Sequence, residues 1–527
     1  MSDIEIPFGR PSSAYRALEM LPGALSYGAI ALLVLLSLLE PGWAAVYLLG
    51  IVGIMFLRTL VALRFLLLGV RRMGEASRTD WRARRIELER SLPPGARPLR
   101  HAVIVTAYNE SIEVLEPTIR SLADSGFDND RIILVLAYEE RGGTAMADTA
   151  AELRCRFDGV FGDFLLARHP EGLPGEVPGK GGNITWAGRR LQNRLDALGI
   201  PYEDVVVTTL DSDNRPHPDY LDCVACLHLR RADRVRVAYQ PIALFTSNIW
   251  DAPLPSRIVA SCNSLWNIMS TARPKLLRNF ASHSQPMPAL VEMDFWSTRT
   301  IVEDGHQYWR SYFHFDGDYE VVPVSLPVYQ DAVLAEGLRR TLVAQFKQLR
   351  RWAHGASDIP YAAVRIFSRR RSVPLAGALE RFLRLVDAHV SWACVPPLLM
   401  FGAWVPVLLA AEGRAAGIER LPQLVGIVQT VAMVGLLASI LVSTRLLPPR
   451  PERYGPARSV AMVLQWAFMP LVGLVFNAAS AYVAQTRLLL GRYPTGFDVT
   501  EKATVAAAAE LRAVVSATPR GVAGPDR

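Results

Sequence analysis

Apolar and polar positions divide the chain into blocks of different period. Ala24 to Leu39 runs almost without charge, Pro41-Gly42 interrupts it, and a second apolar run extends from Trp43 to Leu57 and more raggedly to Val70. Each approaches the roughly 20 residues a helix needs to cross a bilayer core, so the pair predicts a transmembrane hairpin. Mixed residues precede the first run and a second span follows at once, which argues against a cleaved signal peptide. From His101 to about Ile359 short β-branched runs alternate with amphipathic stretches. His101–Tyr108, Arg131–Leu136 and Asp204–Leu210 predict buried strands, and the stretches near 112–124, 144–156 and 180–197 predict helices between them. That alternation predicts a parallel, doubly wound α/β sheet whose ligand sits at the carboxyl ends of its strands. Apolar blocks return at about His389–Ala411, Gln423–Ser443 and Ser459–Val483.

Composition supports this division. Half of the 527 residues are hydrophobic, enough for a catalytic-size domain and several spans. The formal charge of +7 does not lie along one basic stripe interleaved with aromatics, so it does not point to nucleic acid. Arg71, Arg72, Arg78, Arg82, Arg84 and Arg85 follow the first hydrophobic block, and Arg369, Arg370 and Arg371 precede the next, as at cytoplasmic flanks of spans. The Arg445–Arg458 loop belongs on the same side. Three C-terminal spans would send the tail outside, against Arg487 and Arg492. Pro470 therefore suggests a broken or re-entrant last block that keeps the tail cytoplasmic. The predicted organisation is an N-terminal segment 1–20, the hairpin 21–70, a basic linker 71–98, an α/β domain 99–365, an interfacial helix and spans 366–491, and a tail 492–527. The five scattered cysteines do not form a disulfide framework, and Cys223 and Cys226 read as two small buried residues on one helix face.

Candidate chemistry concentrates in the α/β block. The apolar run from Asp204 ends in Asp211-Ser-Asp213, whose carboxylates point the same way in extended backbone and suit Mg²⁺ or Mn²⁺ carrying diphosphate oxygens. Glu303-Asp304 interrupts an apolar-aromatic region. A carboxylate there can take a proton from a hydroxyl, or cap a helix over Gly305–Phe313. Gln348, Arg351 and Trp352 share one helical face that offers an amide, a guanidinium and an indole, although a basic helix lying on acidic lipid has the same pattern. Tyr108-Asn109-Glu110 follows the first strand, and Gly179-Lys180-Gly-Gly-Asn183 offers a cation and flexible backbone for phosphate. His283 and His306 read as structural or solvent-facing.

In this order the motifs resemble those of the membrane-integrated family 2 glycosyltransferases, the group of cellulose, chitin and hyaluronan synthases, over roughly residues 99–360 and the flanking spans. Thr106–Glu110 looks like that family's nucleotide-binding motif, Lys180–Asn183 its lysine–asparagine segment and Asp211-Ser-Asp213 its metal motif. Glu303-Asp304 matches the acceptor-base motif with Asp304 as base, and Gln348-x-x-Arg351-Trp352 the motif of processive members. Thr495–Lys502 looks like a tail segment near the cytosolic gate. The family's aspartate after the second strand is replaced here by Glu139-Glu140, either of which can serve, and Ser282–Met293 departs from the expected glycine-rich acceptor loop.

The resemblance implies a GT-A, Rossmann-like catalytic domain at a bacterial-type plasma membrane, facing the cytosol and flanked by transmembrane helices. It implies Mg²⁺ or Mn²⁺, a nucleotide-sugar donor with UDP-sugar favoured, a glycan or lipid-linked acceptor, and inverting, processive transfer. Transfer of one sugar to a polyprenyl phosphate or lipid is the alternative, and a catalytically silent nucleotide-binding membrane protein the remote one.

Overall fold

The computed structural model describes residues 9, 11–410 and 417–496. Tail positions from 497 on, including most of the Thr495–Lys502 segment, lie outside the described residues, as does Ala411.

Two long apolar helices, α1 (Ser13–Leu39) and α2 (Pro41–Ser77), open the chain and meet at Glu40, where Pro41 starts the second. Glycine at position 69 lets α2 ride directly on the soluble domain, because a Cβ there would lie 2.5 Å from the Ile268 carbonyl oxygen. A short helix α3 (Trp81–Arg90) follows. The basic flank expected here is partly internal: Arg85 is buried and donates to Asp222 at 2.5 Å, Glu89 at 3.0 Å and Asp128 at 3.1 Å, with its guanidinium 4.7 Å above the Phe127 ring. The linker is thereby fastened to the domain by a buried charge network.

The domain is an eight-stranded sheet in the order β3-β2-β1-β4-β7-β6-β8-β5. Its first half is the expected one. Strands β1 (Arg100–Ala107), β2 (Ile132–Glu139), β3 (Asp163–His169) and β4 (Val205–Leu210) are parallel. Helices α4 (Ile112–Ala123), α5 (Gly143–Arg156) and α6 (Lys180–Leu198) connect them. The second half is mixed. It contains β5 (Arg215–Pro216), β6 (Val237–Phe245), β7 (Ser284–Pro286) and β8 (Glu320–Gln330), together with helices α7 (Tyr220–Leu229), α8 (Leu254–Thr271), α9 (Met287–Glu292) and α10 (Glu303–His314). Strand β7 is antiparallel to both β4 and β6, and β8 is parallel to β6, so β6 and β8 run in the direction of β4. Both kinds of strand therefore bring their carboxyl ends to one edge, where an α/β sheet presents its site. Cys223 and Cys226 lie buried on α7, and burial pushes both thiols up, that of Cys226 to about 11.

After β8 come α11 (Leu338–Ala353), α12 (Asp358–Ile366), α13 (Leu375–Phe401) and α14 (Trp404–Leu409), then α15 (Leu421–Arg445). The apolar block expected from His389 begins earlier, in α13, which contains Pro396-Pro397 and stops at Phe401. Among the described residues four helices are long and apolar enough to cross a membrane: Ser13–Leu39, Pro41–Ser77, Ile418–Arg445 and Pro456–Leu489. The last is irregular, with a tight turn at Gln465–Phe468, Pro470, and a wide π turn at Gly473–Ala478. Both of its ends face the soluble domain. Arg458 donates to the Trp250 carbonyl oxygen at 2.5 Å near its start, and Leu488 packs with Tyr308 and Trp309 at its end.

Arg85→Met would leave Asp222 buried without its cation. The midpoint of thermal unfolding in detergent is expected to fall, by the equivalent of about 3–5 kcal/mol. An unchanged midpoint would show that the network contributes nothing to stability.

Candidate active site

The site begins where β1, β2 and β4 end. Past β1, Glu110 turns back so that its Oε2 accepts from the backbone N–H groups of Tyr108 at 2.7 Å and Asn109 at 3.2 Å, while its Oε1 accepts from Ser212 Oγ at 3.2 Å. Glu110 thus ties the end of β1 to the Asp211-Ser-Asp213 segment after β4. Thr118 of α4 holds the same segment from behind, donating to the Ser212 carbonyl at 2.7 Å.

At the end of β2 the two glutamates separate. Glu139 is buried and accepts from Arg141 at 2.7 Å, and the Arg141 guanidinium lies 4.9 Å from the Tyr108 ring centroid. Glu140 turns outward to Arg168 at 2.5 Å and to the Glu171 N–H at 3.0 Å. Glu139 therefore joins Tyr108 beside the site, and Glu140 does not. The turn that allows this needs glycine at 142, where a Cβ would lie 1.9 Å from the Tyr108 carbonyl oxygen.

Lys180-Gly-Gly-Asn183 is the first turn of α6, not a loose phosphate loop. Gly181 is there for close approach: a Cβ would meet the Ser297 carbonyl at 2.3 Å. Asn183 donates to the Ala107 carbonyl at 3.3 Å and the Ala137 carbonyl at 3.0 Å, clasping the ends of β1 and β2 together. Lys180 is the centre of the cluster. Its Nζ lies 2.9 Å from Asp211 Oδ1, 3.1 Å from Asp304 Oδ2 and 3.6 Å from Glu303 Oε1. Burial opposes its charge, but the Asp211, Asp304 and Glu303 carboxylates outweigh burial and raise the ammonium above its ordinary value.

Glu303 and Asp304 form the first turn of α10, two residues earlier than the helix expected from Gly305, so neither is the cap: that position is Val302, and no side chain caps the helix. They differ in exposure. The Asp304 side chain is 20% exposed and that of Glu303 is 3% exposed. Burial, and then the neighbouring Asp304 charge, push the Glu303 carboxyl up to about 8 although Lys180 opposes them. His283 lies behind Asp304, 3.9 Å from Oδ1. It donates Nδ1–H to the Phe280 carbonyl at 2.8 Å and accepts from Trp296 at 3.2 Å, which leaves a neutral ring. Burial lowers its pKa, with Asp304 opposing. His306 faces away, 2.6 Å from Asp358 of α12.

Gln348, Arg351 and Trp352 all lie half-buried on α11. Gln348 accepts from Gln345 at 3.1 Å, and Trp352 packs 6.1 Å from Phe245, the last residue of β6. Ile258, Val259 and Val472 share that apolar cluster, so this face borders the site edge where the domain meets the apolar helices. Sequence reasoning passed over Arg141, Asn214 and the backbone of Asp331, whose N–H donates to Asp213 Oδ2 at 3.2 Å. None of these carries a local signal.

Asp211 and Asp213 are a donor set of the kind a hard cation uses when a diphosphate and water complete its shell. Among the described residues no group of three His, Cys, Asp or Glu side chains could hold a metal by itself. The pair therefore fits Mg²⁺ or Mn²⁺ only together with a ligand that brings oxygens of its own.

No protein-family model matches the chain, and no curated protein matches it. Solved structures that follow part of the same chain path include the mannosyltransferase PcManGT from Pyrobaculum calidifontis in complex with GDP-Man and Mn²⁺. That likeness has 14% identity and a TM-score of 0.36, covering 79% of this chain and 98% of that one. Another is S. aureus TarS 1-349 in complex with UDP-GlcNAc, at 12% identity and a TM-score of 0.35, covering 75% of this chain and 93% of that one. GalNAc-T7 with UDP, GalNAc and Mn²⁺ follows at 11% identity and a TM-score of 0.33, covering 56% of this chain and 58% of that one.

Because the folded state keeps the Glu303 proton up to about pH 8 and the unfolded chain loses it near 4.5, folding binds more protons across that window and stability falls as pH rises through it. Glu303→Gln is expected to flatten this fall and to raise the unfolding midpoint at pH 8. Melting curves of both proteins from pH 5 to 8 measure it, and parallel curves would contradict the assignment.

Proposed function

We propose that this protein is a membrane-integrated GT-A glycosyltransferase that takes a sugar from a nucleotide-diphosphate donor and passes it, with inversion, to a hydroxyl of a growing glycan. The observation that carries the reading is the meeting of Asp211 and Asp304 at one ammonium, Lys180 Nζ, at the carboxyl edge of the sheet. A metal-type carboxylate and a base-type carboxylate, distant in sequence, lie within reach of the same bond.

The residues divide the work. Tyr108 and Glu139 flank the place for the base and ribose, with Glu110 and Asn183 holding the strand ends that form it. Asp211 and Asp213 would hold Mg²⁺ or Mn²⁺, which when bound neutralises charge growing on the departing diphosphate. Lys180 supplies a fixed positive charge beside that leaving group and ties Asp304 to Asp211 through its ammonium. Asp304 takes the proton of the acceptor hydroxyl as its oxygen bonds to the anomeric carbon and the bond to the diphosphate oxygen breaks. Glu303 is buried, which leaves Asp304 as the more accessible carboxylate of the pair.

The finer proposals are a UDP-sugar donor and processive polymerisation. Trp352 stands between the end of β6 and the apolar helices, which suits an acceptor chain leaving toward the bilayer. The Arg445–Arg458 loop docks on the domain through Arg453 to Asp251 at 2.9 Å, which supports a shared side, and the positive-inside rule makes that side the cytosol of a bacterial-type plasma membrane.

Asp304→Asn is expected to lower kcat by about 10²–10⁴ with donor binding retained, as loss of a general base does. Asp211→Asn should lose both turnover and the response to Mn²⁺. Wild-type turnover by either variant would refute the site. Purified protein incubated with a panel of labelled nucleotide sugars and Mn²⁺ or Mg²⁺ should consume a UDP-sugar and yield long product. A single sugar added to lipid would overturn processivity and leave the transferase reading standing.

A further inference from the structure

We infer that Asn214 and Ser282 are a positioning pair that fixes the two metal-type carboxylates in one geometry; the inference rests on the reading of Asp211 and Asp213 as metal ligands. Asn214 is fully buried one residue beyond Asp213, and its N–H closes a turn onto the Asp211 carbonyl at 3.0 Å. Its amide takes the orientation that satisfies all its neighbours. So oriented, Nδ2 donates to Asp213 Oδ1 at 3.1 Å, while Oδ1 accepts from the Asp211 N–H at 3.2 Å and from Ser282 Oγ at 2.5 Å. With the Asp331 N–H on the other oxygen of Asp213, that carboxylate is gripped from two sides.

Ser282 is an unusual anchor. It is fully buried with φ +69°, a left-handed conformation that glycine adopts freely and serine does not. The surroundings hold it there: Gln330 Nε2 donates to its hydroxyl at 3.3 Å, and Tyr220 Oη donates to its carbonyl at 3.3 Å. A turn needing only this backbone shape would be better served by glycine. The hydroxyl is what serine adds, and it points at Asn214. The next residue carries the arrangement across the site, since the His283 carbonyl accepts from Thr209 N–H of β4 at 3.1 Å and its ring backs Asp304.

The test separates hydroxyl from backbone. Mn²⁺ binding to the full chain in detergent is read by electron paramagnetic resonance with UDP present, so no turnover is needed, and unfolding midpoints are measured alongside. Ser282→Gly removes the hydroxyl and relieves the left-handed backbone. It is expected to keep or raise the midpoint while weakening Mn²⁺ binding about 10–100-fold, as loss of an outer-shell partner does. Ser282→Ala should show the same Mn²⁺ loss with a lower midpoint than Ser282→Gly, and Asn214→Ala a loss at least as large. If wild type binds Mn²⁺ with UDP and Ser282→Gly binds it equally well, the positioning role is wrong and the metal motif stands. If wild type itself binds no Mn²⁺ with UDP, the metal reading falls and this inference with it.

Discussion

Three carboxylates, those of Asp211, Glu303 and Asp304, crowd around the ammonium of Lys180 at the edge where the strands end. Like charges this close repel strongly unless they are compensated. One cation cannot balance three anions, and burial pushes the Glu303 carboxyl up, toward its protonated form. Asp211, Asp304 and the nearby Asp213 outweigh the single charge of Lys180, a surplus of negative charge that a divalent cation would offset. The rest of the domain serves to hold these groups in place: Asn183 clasps β1 to β2, Glu110 fastens the loop after β1 to that after β4, and Gly181 lets α6 deliver Lys180.

The membrane-facing parts depend on the same edge. Helix α10 starts with Glu303 and Asp304 and then buries Tyr308, Trp309 and Tyr312 against α12 and α13. Its position is therefore set jointly by the sheet and by the apolar helices. The pair His306–Asp358 adds a polar tie between α10 and α12. Both ends of Pro456–Leu489 return to the domain, and Arg16 of α1 donates to the Leu488 and Leu489 carbonyls at 2.5 Å, so the first and last described helices close on each other beside α10. The apolar helices and the carboxyl edge of the sheet are thus built against one another.

Legibility followed the range of the interactions. Strands β1, β2 and β4 are buried on both faces and read as continuous apolar runs. Strand β3 lies at the edge, carries Asp163 and Arg168 and is only partly buried, so its pattern is weak. Strand β8 contains Pro323 and Pro327, which argue against a strand locally, and Pro241 of β6 sits where the β6–β8 register shifts. Strand β7 has three residues, too few for any period. The acidic motifs were legible because two carboxylates at a strand end are a local pattern. The choice between Glu139 and Glu140 was not, because it depends on Arg141 and Arg168 reaching them through space.

By itself the sequence determined the N-terminal apolar hairpin, the apolar blocks near 423–443 and 459–483, the parallel half of the sheet and the identity of the acidic pairs, since each is written in neighbouring residues, whereas the block from His389 is not among the four long apolar helices. Only the tertiary structure decided that Lys180 joins Asp211 to Asp304, that Glu303 is buried, and that Asn214 meets Ser282. Those contacts depend on β7 pairing with β4 and β6, a long-range registration that brings distant loops to one edge and that no local period encodes.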